Sequence, residues 1–359
     1  MWPDRRLVEM LGIAHPIVLA PMAGAMDWEL AAAVAEAGGL GSIPAAMLDA
    51  ARLRDQVAKF RARTKGPVNL NFFCHRPPVP SNAREVAWRE RLAPYYCEFG
   101  IDPAAPVPAS NRAPFDQDFC AVVEELRPEV ASFHFGLPEK ALLRRVKDAG
   151  CRVFSSASTA DEAKWLEEAG VDAVIAQGVE AGGHRGMFLT DEPSAQVGTF
   201  ALVPQVADAV GVPVIAAGAV ADARGIAAAF ALGAAGVQIG TTYLWAAESK
   251  ISALHRAALK DARSDGTALT NVMTGRPARG IVNRAIRELG PISDVAPEFP
   301  LAGGAMAPLR AKAEAQGSTD FSPLWTGQAA ALGRPLPAAE VTRRLVAETD
   351  ELLRRLASR

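Results

Sequence analysis

Glu168-Ala169-Gly170-Val171-Asp172-Ala173 and Ala231-Leu232-Gly233-Ala234-Ala235-Gly236-Val237 repeat one joint: a helical segment closes on glycine, the chain turns, and an apolar strand begins. The segments leading into these joints, Asp161 to Ala169 and Asp222 to Leu232, open with an acid, as a helix dipole prefers. The strands that follow are continuously apolar, which marks them as buried on both faces, the state of strands in a parallel sheet. Eight strand candidates, short runs too continuous for half-exposed strands although some carry a polar residue, stand along the first two-thirds of the chain: Ile17 to Ala20, Gly41 to Ile43, Val68 to Phe73, Val130 to Phe133, Arg152 to Ser155, Ala173 to Ala176, Val214 to Ala217 and Gly236 to Ile239. Helical periodicity fills the intervals near residues 28–37, 49–63, 116–126, 138–149, 159–169, 199–209 and 222–232.

Eight βα units predict an α/β fold, a TIM (β/α)8 barrel whose site lies on the loops at the C-terminal ends of the strands. The competitor is an open doubly wound sheet, but its Gly-x-Gly-x-x-Gly fingerprint after the first strand is absent. A barrel core takes about 250 residues, so residues 1–250 are assigned to it, with an insertion over about 74–115. Residues 251–359 are assigned to a C-terminal, mostly helical lid and substrate region packed on the barrel. The insertion includes a Pro-rich stretch, His75 to Pro114, too long for a simple connection. A charged helix, Ala338 to Ala357, is expected to dock with a solvated face.

Of the 359 residues, 50% are hydrophobic and 22% charged, so the chain can bury a large core and is not intrinsically disordered. With 38 basic against 40 acidic side chains it has no global positive field for a nucleic acid. The longest apolar stretches stop well short of the roughly 20 residues a membrane span needs. The mixed-charge start, Met1 to Arg6, lacks the build of a signal peptide, so a cytoplasmic location is expected. Cys74, Cys97, Cys120 and Cys151 match no metal or disulfide pattern and read as reduced thiols filling core space. His15, His75, His134, His184 and His255 form no metal-ligand pair, so no metal is expected.

The chemistry concentrates at strand ends. After the first strand, Ala20-Pro21-Met22-Ala23-Gly24 turns where a flat ring could rest. Alternation puts Asn69 and Asn71 on one face of the third strand, with Asn71 at the mouth, offering a ligand hydrogen bonds or satisfied by neighbouring loops. Gln177 to Gly186 carries four glycines around His184 and Arg185, which permits close backbone approach to a ligand beside a group that titrates near neutrality. Gly218 and Ala219 follow the seventh strand. Gln238, Ile239, Gly240 and Thr241 end the eighth, and this pair of loops often cradles a phosphate in such barrels.

Together these segments resemble the nitronate monooxygenases, FMN-containing TIM-barrel enzymes. The likeness runs through Ala20-Pro21-Met22-Ala23-Gly24, Ser132-Phe133-His134-Phe135-Gly136, Glu180-Ala181-Gly182-Gly183-His184-Arg185-Gly186, Thr274-Gly275-Arg276-Pro277-Ala278-Arg279-Gly280 and Leu324-Trp325-Thr326-Gly327-Gln328, covering nearly the whole chain. It implies non-covalent FMN held by Met22, Asn71, Gln177, Gly182, Gly183, Gly218, Ala219, Gln238, Ile239, Gly240 and Thr241. It makes His184 the catalytic residue. His134, at the end of the fourth strand, either faces the flavin or substrate or is a barrel-lining histidine hydrogen-bonded in place, and Arg185 is read as a fixed positive charge toward the substrate. The implied reaction is oxidation of an alkyl nitronate (in some cases a nitroalkane) by O2 to a carbonyl compound and nitrite, a detoxification. Monomer and homodimer are both open. Arg276 and Arg279 either contact the cofactor or anion or, the favoured expectation, pair with carboxylates that fix the lid.

Three other readings share the pattern. An NAD(P)H-dependent FMN reductase of quinones or enoyl thioesters would use the same bed. A dihydrouridine synthase shares a phrase like Leu19 to Gly24, yet the near-neutral charge is wrong for tRNA. A flavin-sequestering barrel without activity would keep the cofactor alone.

Overall fold

The eight barrel strands are β1 (Ile17–Leu19), β2 (Gly41–Pro44), β3 (Val68–Phe73), β4 (Val130–His134), β5 (Arg152–Ala157), β6 (Ala173–Gln177), β7 (Val214–Ala217) and β8 (Gly236–Ile239). This computed structural model describes residues 2–358 apart from Ala105, Ala109, Asn111 and Ser264; three of these fall in the expected insertion. Every neighbouring pair from β2 to β8 is parallel, and β8 pairs with β1 through Ile17–Val237, Val18–Gln238 and Leu19–Ile239. A parallel bridge between Val18 and Leu40 closes the ring, with Leu19 N donating to Leu40 O at 2.9 Å. The expected TIM barrel is present, with strand ends displaced by at most two residues.

Side-chain alternation divides these strands between two cores. Val18, Val130, Phe154, Ile175 and Ile215 fill the barrel interior, and Leu7, Val8 and Ile13 of the N-terminal segment plug its floor. Their neighbours Ile17, Leu19, Leu70, Phe133 and Ile239 point outward into the layer shared with the helices. The joints work as expected: Gly170 and Gly233 take φ of +90° and +97°, conformations that cost a side chain strain. At the opposite helix ends, Thr159 and Asp222 cap their helices by accepting from the backbone N–H of Glu162 and of Arg224 and Gly225.

Two features go beyond the expected outline. The Pro-rich excursion contains a helix, Asn82–Glu98, despite Pro94 inside it. That helix packs on Ala302–Ala315, joining Trp88, Leu92 and Tyr96 to Met306 and Leu309 in a separate core beside the barrel mouth. Trp88 Nε1 and Tyr96 OH donate to Ala302 O and Ala305 O, at 3.3 and 2.6 Å. The C-terminal part also forms, with the barrel's histidine loop, a small antiparallel sheet, Thr267–Thr270, Ala278–Ile281 and Gly183–His184 in spatial order. The last helix, Ala338–Ala357, buries Val341, Thr342 and Leu345 against helices Trp28–Glu36 and Ala223–Ala231 and keeps its charges outward. It thus covers the barrel wall at β1 and β8. Cys97 is exposed on the excursion helix, a correction to the expectation that all four thiols fill core space. Among the described residues no helix is long and apolar enough to cross a membrane.

Candidate active site at the barrel mouth

A cavity of about 420 Å³ opens at the C-terminal ends of the strands. Its wall includes Met22, Asn71, Gln177, Gly182, Gly183, Gly218, Ala219, Gln238, Gly240 and Thr241, together with His134 and His184. Two expected residues are not part of it. Ile239 alternates with Gln238, so when Gln238 faces inward Ile239 enters the outer core, where it is buried. Arg185 follows His184 along an extended segment and points the other way, fully buried beneath the loop. Its guanidinium donates to Gln177 O at 2.5 Å, Gly178 O at 2.7 Å and Gln196 Oε1 at 3.0 Å.

The histidine loop is held from several sides. Gly183–His184 forms the edge strand against Ala278 and Arg279. The His184 carbonyl accepts from Gln177 Nε2 at 3.0 Å, and Gln177 Oε1 in turn accepts from Gly186 N at 2.7 Å. His134 Nε2 sits 3.1 Å from the same carbonyl, which can only accept, so this nitrogen carries the proton. His134 Nδ1 then accepts from Ser156 Oγ at 2.9 Å. Both ring nitrogens of His134 are therefore committed to protein, which makes it a strut for the loop. Burial, with Arg276 and Arg185 nearby, pushes its pKa down to about 3.

The His184 ring lies among Phe299, Trp325, Phe135 and Phe73, with centroids 5.1, 5.4, 6.1 and 6.2 Å away. Its Nε2 is 2.9 Å from Thr274 Oγ1. Burial, followed by the charge of Arg112 and those of His134, Arg276 and His75, holds its pKa well below the ordinary 6.5. The imidazole is neutral at working pH. It can donate or accept one hydrogen bond, or take up a proton, but brings no charge of its own.

On the opposite side, Gly218 and Ala219 have φ of +108° and +57°. Left-handed backbone at an alanine costs about 1 kcal/mol or more and is typical of sites where the backbone must meet a ligand. A Cβ on Gly218 would come within 2.9 Å of Thr199 Oγ1, and one on Gly240 within 3.2 Å of Ala20 Cβ. Gln238 Oε1 is buried without a hydrogen-bond partner among the described residues. Arg276 and Arg279 differ from expectation. Arg276 donates to Met187 O and stacks on Phe135, 4.2 Å from the ring centre, while Arg279 donates to Val179 O at 2.8 Å and Thr267 Oγ1 at 3.1 Å. Peptide carbonyls and a hydroxyl, rather than carboxylates, receive their hydrogen bonds.

Sequence reasoning missed Arg112, Lys250, His255 and Arg310 in the same wall. They come from segments with no strand or glycine signal, brought over the mouth only by tertiary packing. Among the described residues, no group of three or more His, Cys, Asp or Glu is placed to hold a metal ion.

The chain matches the family model described as nitronate monooxygenase over residues 4–348. It is 45% identical to a nitronate monooxygenase of Pseudomonas aeruginosa over 347 residues, 96% of this chain and 98% of that protein. A crystal structure of nitroalkane oxidase from Streptomyces ansochromogenes superposes with a TM-score of 0.88 at 37% identity, covering 98% of this chain and 99% of that one. FabK from Thermotoga maritima gives a TM-score of 0.76 at 29% identity, covering 100% and 99%.

Proposed function

The chain belongs to the nitronate monooxygenase family of oxidoreductases, and from that premise we propose that it oxidises alkyl nitronates with O2 to carbonyl compounds and nitrite, using non-covalent FMN in the mouth cavity. One observation carries the reading: His184, fixed by its loop, faces the same cavity as the glycine-bearing ends of β7 and β8.

The residues fit a flavin. Gln238 Oε1 is an unused buried acceptor of the kind that a flavin ring N–H would satisfy. Backbone N–H groups around Gly218, Ala219, Gly240 and Thr241 suit a phosphate, in the loops where such barrels commonly place one. Met22, Asn71, Gln177, Gly182 and Gly183 would complete the bed. Asn71 is pre-oriented for this by donating Nδ2 to Ser132 Oγ at 2.9 Å. When bound, FMN supplies the redox chemistry, accepting electrons from the substrate and passing them to O2.

The protein's own part follows from His184. A nitronate is already an anion, so no proton need be removed, and the imidazole orients it through a hydrogen bond. For a neutral nitroalkane, the same uncharged imidazole is available as the base. The aromatic wall of Phe73, Phe135, Phe299 and Trp325 keeps water from the reacting atoms.

The test is anaerobic mixing of the flavin-loaded protein with propyl nitronate and, separately, with NADH or NADPH. Bleaching by nitronate supports the proposal. Bleaching by a reduced nicotinamide alone overturns it in favour of an FMN reductase.

A further inference from the structure

Three cationic side chains belong to the cavity wall: Arg112, Lys250 and Arg310. Lys250 is paired with Glu29 and Asp27. Arg310 Nε donates to Glu314 Oε1 at 2.8 Å, and the same carboxylate oxygen accepts from Ser322 Oγ at 2.7 Å. The nearby guanidinium groups of Arg185 and Arg279 are spent on carbonyls, a carboxamide and a hydroxyl; that of Arg276, outside the cavity wall, donates to Met187 O and stacks on Phe135, although its buried Nε finds no partner among the described residues. Arg112 differs: its backbone N–H donates to Ser110, but its guanidinium has no hydrogen-bond or ion-pair partner among the described residues.

An unpaired cation that borders a cavity and is partly withdrawn from water is costly unless something anionic completes it. Arg112 is placed for that purpose. Of all the charges around His184, its own acts most strongly on that ring, and the charge of Arg310 acts on Arg112 in turn. Two cations that repel each other, one neutralised by Glu314 and the other by none of the described residues, favour an anion between Arg112 and His184. A neutral His184 cannot itself supply the counter-charge.

We propose that Arg112, carried over the mouth by the excursion between β3 and β4, is the anion-binding residue that holds the nitronate head group of the substrate beside His184. This assignment rests on the proposed function for the identity of the anion. It makes Arg112 the residue by which the enzyme distinguishes the nitronate from its neutral nitroalkane, since only the anion gains from the guanidinium.

Arg112→Met and Arg112→Lys test it, with Arg334→Met as a control for lost charge, because Arg334 pairs with Glu348 and is outside this cavity wall. Flavin content is measured first, then KM and kcat for propyl-2-nitronate, then the inhibition constant of nitrate as an unreactive planar anion. In Arg112→Met, KM and the nitrate constant rise roughly ten- to a hundredfold, more than kcat falls. Lysine recovers part of the loss, and Arg334→Met resembles wild type. The proposal is overturned if both constants stay within about twofold of wild type. It is equally overturned if Arg112→Met loses its flavin, which would make Arg112 a cofactor contact. Should wild type fail to oxidise nitronate, the proposed function falls separately. Nitrate titration of the flavin absorbance then decides Arg112: a response abolished in Arg112→Met upholds the anion site, and a response retained there overturns it.

Discussion

Replacing Arg185 with methionine separates a loop strut from a substrate contact. The side chain is fully buried and donates to three acceptors, Gln177 O, Gly178 O and Gln196 Oε1. Methionine keeps much of the apolar stem but none of the donors. Gly178 O still receives Ala181 N at 3.1 Å, so the main losses fall on Gln177 O and Gln196 Oε1. At about 1–3 kcal/mol for each buried acceptor deprived of its donor, destabilisation is roughly 2–6 kcal/mol, a large part of a typical total stability. Urea unfolding followed by tryptophan fluorescence should show the midpoint falling by roughly 0.7–2 M at a slope near 3 kcal/mol per M. Turnover falls as well, because Gln177 and Gly178 support the segment that presents His184. A wild-type midpoint combined with a large rise in nitronate KM would refute this and return Arg185 to the substrate.

Acid should weaken the fold before carboxylates titrate. Burial holds His75 and His255 at about 4 and His134 at about 3, all below the ordinary 6.5, so the unfolded chain takes up these protons first. Their contribution is complete above pH 6.5 and is lost as pH falls from there toward 4, by up to about 2 kcal/mol for each imidazole at pH 5. Urea midpoints at pH 7, 6 and 5 should fall in order, with a shallower slope in His75→Phe; a flat series contradicts the burial argument. Gly182→Ala should disturb the join between the histidine loop and the C-terminal segment. The new Cβ would meet Gly327 N at 2.6 Å and the Thr326 carbonyl carbon at 2.7 Å, both backbone, and Gly327 N also donates to Thr241 Oγ1 at 2.9 Å. The expected cost is about 1–3 kcal/mol, with lower flavin content, and wild-type values for both would show that the join is not tight.

The barrel was legible because parallel strands buried on both faces and helices closed by glycine leave local marks, as at Gly170 and Gly233. The small sheet left none: one of its strands is two residues long, and its partner lies about ninety positions away in the chain. The excursion helix was hidden by Pro94 and by an apolar face whose partners, Ala302–Ala315 and Phe321 among them, lie about two hundred positions away in the chain. Most expected cavity residues could be read from strand ends and strand parity. Parity also explains the two misplacements, since Ile239 and Arg185 each sit one position from a cavity residue and face away from it. Arg112 carried no local signal, because its role depends on where a long connection comes to rest.

The most direct test of the account is anaerobic stopped-flow absorbance of the flavin-loaded wild type and His184→Ala, each mixed with propyl nitronate. The account predicts rapid bleaching in wild type and, in His184→Ala, retained flavin with most of that rate lost. Equal rates in the two proteins, or no bleaching in wild type, would contradict it.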